Sequence, residues 1–174
     1  MWMRHLLTGA AICLALVACG DDDDDNGPSD VGVFTANLSS GSTAVASFSG
    51  EARFALSGGE FVIGLIDSVG PPDGVILIGR ESGGLPAVGS YPVEVVPESG
   101  STDMQAAAGF EYDGSQWLCS VAETGTLTIT SSDDSRVEGS LAVNMLCDQD
   151  ASGNLVVRSL QASFEATLGT LPAP

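Results

Sequence analysis

Few side chains in this sequence have types and spacings suited to chemistry. Asp148-Gln149-Asp150-Ala151-Ser152-Gly153-Asn154 puts oxygen-bearing side chains at alternate positions ahead of a turn glycine, as a calcium loop does. The pattern fails at its twelfth position, which is Ser159 where a bidentate glutamate should stand. Asp148, Asp150 and Ser152 are therefore a weak calcium candidate, and the same residue types also suit a plain hairpin turn. Paired carboxylates could do glycosidase-type acid–base work, and Glu98, Asp103, Glu111, Asp113, Asp133 and Asp134 all fall in expected loops. No spacing singles out a pair among them. Tyr91, Tyr112 and Trp117 could form an aromatic platform for sugar rings. Trp117 stands beside Cys119 in an alternating segment, however, which favours a core position.

The background charge limits the partners of any such site. The 174 residues hold 23 Asp+Glu against 5 Lys+Arg, a formal charge of −18, and all five cations are arginines. With 44% hydrophobic residues this is a chain with a core and not a disordered acidic polymer. The length suits one domain. A surface this negative repels phosphate backbones and argues against nucleic-acid binding.

Met1 to Cys19 has the three parts of an export signal: a basic start at Arg4 and His5, an apolar run from Leu6 to Val17, and small residues before a cysteine. The run is short of the roughly 20 residues that a permanent membrane helix needs. Leu16-Val17-Ala18-Cys19 resembles the bacterial lipobox. The resemblance implies that the chain is cut before Cys19, which is diacylated on sulfur and acylated on its new amino end, giving stable membrane anchoring. The alternative is an ordinary secretory signal with an incidental cysteine. Removing 18 of 174 residues leaves 156, shifts the charge from −18 to −19 through loss of Arg4, and removes His5, the only histidine. A chain without histidine has no His-based triad, general base or metal ligand. The expectation is a non-enzyme that needs no cofactor, with calcium as the one outside candidate.

Residues 19–30 read as a lipidated cysteine and an acidic tether. Asp21 to Asp25 repel one another, and Gly27 and Pro28 resist regular structure. Such a run after the acylated cysteine resembles surface-export signals of some Gram-negative lipoproteins. Gly20 stands where an inner-membrane retention signal would have aspartate, which favours the outer membrane. Cation binding by the aspartates is a weaker alternative.

Export also bears on the remaining cysteines. Cys13 leaves with the signal and Cys19 carries lipid, so Cys119 and Cys147 remain to meet an oxidising compartment. They are expected to form a disulfide, the alternative being free or reactive thiols.

The elements that must position these residues are strands. From Val31 onward a period of two dominates. Phe34, Ala36 and Leu38 alternate with polar residues, and a run from Thr43 to Ser57 has Gly50 at a suspected bulge or bend. Pro71-Pro72-Asp73-Gly74 turns Phe61–Ile66 into Val75–Ile78. Both arms of that hairpin are apolar throughout, so it is expected to be covered on both sides. If it is not, an outer face of Val62, Ile66, Ile76 and Ile78 is a contact patch. Gly125–Val143 is a hairpin with one wet face, turning at Ser131–Ser135, and Leu155–Leu168 is a long alternating strand. Weaker runs lie near 88–96, 104–112 and 116–122. Gln105–Ala108 is the one place for a short helical turn. The sum is an all-β domain over residues 31–171, an antiparallel β-sandwich or flattened barrel of about eight to ten strands.

Four segments in order, Phe110–Trp117, Gly125–Thr130, Arg136–Val143 and Leu160–Glu165, are similar to small bacterial β-sandwich lipoproteins of unknown function from Bacteroidetes-like lineages. The resemblance covers about the C-terminal half and rests on strand patterning, so it implies fold and location and no chemistry. The functional expectation is an outer-membrane, lipid-anchored envelope protein, periplasmic or surface-exposed. It would act as a binding module for glycan, peptide or protein. The alternatives are a structural lipoprotein and a carboxylate-based hydrolase.

Overall fold

Alternation with a period of two dictates the architecture, because it gives each strand one apolar and one polar face. A computed structural model describes residues 31–67, 74–94, 103–112, 115–149 and 155–171. The expected signal and tether, and the turn residues Asp150 and Ser152, lie outside the described residues. Ten strands run β1 (Gly32–Ser40), β2 (Thr43–Ser57), β3 (Glu60–Ile66), β4 (Gly74–Arg80), β5 (Gly89–Val93), β6 (Gln105–Tyr112), β7 (Ser115–Val121), β8 (Gly125–Ser132), β9 (Arg136–Gln149) and β10 (Leu155–Leu168). They belong to one compact unit, Asp30–Leu171.

Eight of them close into an antiparallel barrel in the order β1-β2-β3-β4-β6-β7-β9-β10, with β10 returning to β1. Of the two architectures left open by the sequence, the barrel is the one formed. The other two strands widen one end. β7 and β8 pair with the same edge of β9, β7 with Met145–Gln149 and β8 with Val137–Ala142, and β5 adds on to β8. The chain thus makes one long β7/β8 arm against β9, broken at Ala122–Thr124. The arm turns on Asp133, whose Oδ1 accepts hydrogen bonds from the Ser135 amide (2.8 Å), the Ser135 hydroxyl (2.7 Å) and the Arg136 amide (2.8 Å). These donors hold its carboxyl below the ordinary 3.8.

An eight-stranded barrel is wide enough inside for packed side chains or for one small ligand, and here large and small residues share that space. All six phenylalanines of the chain (34, 48, 54, 61, 110 and 164) are buried, among Ala36, Ala52, Ala106, Ala108, Ala162 and Ala166. Cross-strand pairs show the fitting directly: Phe34 faces Gly50, Phe48 faces Ala36, and Phe164 faces Gly139. A Cβ on Gly74 would meet the Phe48 ring at 2.9 Å. Gly50 is accordingly no bulge; a side chain there would collide with the Ile66 carbonyl, and the register shift in this pair lies at Leu38/Ser39 instead.

Three further expectations are corrected. Gln105–Ala108 is strand, the opening of β6, because Ala106 and Ala108 are needed on the inner face opposite Ile78 and Ile76. The β3–β4 hairpin is not covered along its whole outer face, which in a closed barrel lies outside the core and here meets Leu171 only over Gly64. The patch it leaves outside also differs in phase. Ile76 and Ile78 point inward with Phe61, Ile63 and Leu65, and Val75 and Leu77 point out beside Val62 and Ile66.

Candidate functional site

The inward-facing cysteines of β7 and β9 stand directly opposite each other, with Cα atoms 4.0 Å apart, and Cys119 and Cys147 are joined by a disulfide. Both are buried. The bond crosses the β7–β9 seam, which has only five paired positions and is the shortest closure of the eight-strand ring.

The three aromatic candidates are not one platform. Trp117 lies at the barrel end where β6 and β7 meet, stacked on Phe110 (ring centroids 6.3 Å, planes 6° apart), and the Arg158 guanidinium lies 5.5 Å from its ring centroid. Partly buried, Trp117 packs against the core. Its Nε1 is buried without a hydrogen-bond partner among the described residues. Tyr91 lies on β5, opposite Leu127 of β8, ten residues further along the β7/β8 arm than Trp117. Its hydroxyl donates to the Ala87 carbonyl (2.7 Å), and Arg80 lies 5.8 Å from its ring centroid while donating to the carbonyls of Gly83 and Gly84. That pair clamps the loop from β4 to β5. Tyr112 belongs to the end of β6, opposite Ser115, and its side chain is outside the described residues.

Of the calcium candidates only Asp148 is described. It sits on the outer face of β9 between Leu118 and Leu155. Among the described residues no cluster of three or more His, Cys, Asp or Glu could hold a metal ion. Among the described residues the barrel interior shows little room for a ligand. A cavity of about 10 Å³ lined by Phe34, Leu38, Phe48, Ile76, Phe110 and Leu160 is apolar and of the size of one water molecule.

What sequence patterning did not assemble is on the outside. Barrel closure aligns two neighbouring rows across six strands. One row is Ile66, Val75, Gly109, Leu118, Asp148 and Leu155; the other is Gly64, Leu77, Ala107, Ser120, Leu146 and Val157. Val75, Leu77, Leu118, Val157 and Leu155 are between 37% and 59% exposed. Asp148 is the one charged member. The signal was present in the sequence as apolar residues on the supposed wet face of each strand, but only the register shows that they adjoin.

Compared with family models, curated proteins and solved structures, the chain matches none of them. What defines it is therefore its own architecture: a closed, disulfide-stapled, all-β barrel with a filled interior and an apolar band outside.

Proposed function

We propose that the protein is exported, cut before Cys19 and held by lipid at the outer membrane, where it acts as a non-catalytic binding module through its outer surface. One observation carries the choice of surface over interior: the barrel is filled with side chains while Val75, Leu77, Leu118, Leu155 and Val157 adjoin outside. Contiguous exposed apolar residues rimmed by polar ones mark interaction sites. Of the three ligand classes, glycan, peptide and protein, this band suits peptide or protein, because sugar binding relies on open aromatic faces and no member of the band is aromatic. Lack of histidine in the mature chain supports the non-catalytic reading. Immobilising the full chain and challenging it with envelope proteins and glycans tests the proposal. Retention of a partner that is lost when Leu118 becomes Ser supports it. The filled interior also suits a second reading, a structural lipoprotein with no ligand, which gains if nothing is retained.

A further inference from the structure

All four arginines of the barrel already lie against partners within it. Arg53 pairs with Glu51 (3.4 Å), and Arg136 pairs with Glu165. Arg80 donates to the carbonyls of Gly83 and Gly84, and Arg158 lies over Trp117. From Val31 onward there are 17 acidic residues against these four, or −13, and no lysine. The charge left for a partner to meet is therefore negative. The exposed Glu111 and Gln116 stand beyond Gly109 and Leu118 at one margin of the band, and Asp148 lies within it. At its β3 end the band already takes an apolar side chain from an extended segment. After β10 the Gly169 amide donates to the Phe54 carbonyl (3.0 Å), and Leu171 then lies over Gly64. A Cβ on Gly64 would meet Leu171 Cδ2 at 2.8 Å, with Ile66 Cδ1 at 3.7 Å and Leu77 Cδ2 at 3.8 Å completing the seat. From Leu77 to Val157 nothing in the described residues continues that cover.

We propose that the band from Leu77 to Val157 docks a basic protein segment whose apolar ridge is flanked by lysine or arginine. The choice of partner rests on charge complementarity. A second copy would set −13 against −13, and anionic envelope polymers or lipid surfaces would be repelled in the same way, whereas a basic flank is attracted while the ridge is desolvated on Leu77, Leu118 and Val157. This proposal rests on the surface-binding reading above and names its face and partner.

The test uses the full exported chain and an 18-residue amphipathic Leu/Lys peptide as probe, followed by fluorescence anisotropy. A Leu/Glu peptide of the same pattern is the comparator. Binding of the Leu/Lys peptide is expected to weaken at least tenfold in L77S/L118S/V157S, a variant that keeps every charge. It should also weaken as NaCl is raised from 50 to 300 mM. L118R serves as a second variant on a half-exposed position should the triple variant not fold, with the same expected loss. Equal binding by wild type and either folded variant, or equal binding of the Leu/Glu peptide, overturns the proposal. So does a wild-type dimer in sedimentation that L118R dissolves, or wild-type binding to phosphatidylcholine vesicles that L118R abolishes. If the peptide fails but envelope partners are still retained through another face, this proposal falls and the surface-binding reading stands; if neither binds, both fall.

Discussion

Reducing the Cys119–Cys147 bond should lower the melting temperature by about 12 °C. The two residues are separated by 28 positions. In the chain-entropy model, opening a loop of that length returns about 12 cal/mol/K to the unfolded chain, or about 3.6 kcal/mol at 25 °C. A unit of the length of Asp30–Leu171 unfolds with an entropy of about 0.3 kcal/mol/K, and the quotient is the expected shift. Reduction is the cleaner perturbation, because both sulfurs stay in the packed interior; Cys119→Ala with Cys147→Ala also deletes buried atoms and should cost more. Because both cysteines are buried, the protein is unfolded in reductant, refolded and then melted by circular dichroism beside the oxidised form. A shift under about 3 °C would refute the stapling role of the bond. Two alkylatable thiols in the unreduced native protein would refute the bond itself.

Two other perturbations probe the frame. Asp133 has its carboxyl pKa lowered by donors from Ser135 and Arg136. A lowered native pKa contributes stability above the unfolded carboxylate range, and this is lost as pH falls through the native value. The melting-temperature gap between wild type and Asp133→Asn should therefore be present at pH 6 and shrink toward pH 2; a gap constant across that range contradicts the cap. Gly139→Ala would drive a methyl into the Thr128 carbonyl and to 3.1 Å from Phe164 Cζ. Chemical denaturation should show a loss of about 3 kcal/mol, at the upper end for overpacking. A loss under 0.5 kcal/mol, ordinary for a surface change, would contradict the tight inner packing.

The strands were legible in the sequence wherever one face was apolar and the other wet. Leu155–Leu168 is β10 to the residue, and the turn expected at Ser131–Ser135 forms two residues later, after Ser132, where Asp133 caps it. Alternation fails where both faces are apolar. In Val75–Ile78 it says nothing of which residues point inward, and barrel closure settles it by setting Ile76 and Ile78 opposite Leu65 and Ile63. Gln105–Ala108 misleads for a related reason, since alanine favours helix locally yet is the size that the inner face needs beside Phe110 and the cysteines. The disulfide could be reached by elimination among four cysteines. The outer band could not, because its members come from six strands separated by up to 93 positions, from Gly64 to Val157, and only cross-strand register brings them side by side.

The lipid at Cys19 is the claim on which membrane location and the role of the acidic tether depend. Membrane fractionation of wild type and Cys19→Ser, with intact-mass analysis of the membrane-bound form, tests it most directly. The account predicts a wild-type protein that begins at Cys19, carries acyl mass there and stays with membranes under high salt, and a serine variant that carries no acyl mass. A wild-type amino terminus other than Cys19, or a mature chain of unmodified mass, would contradict it.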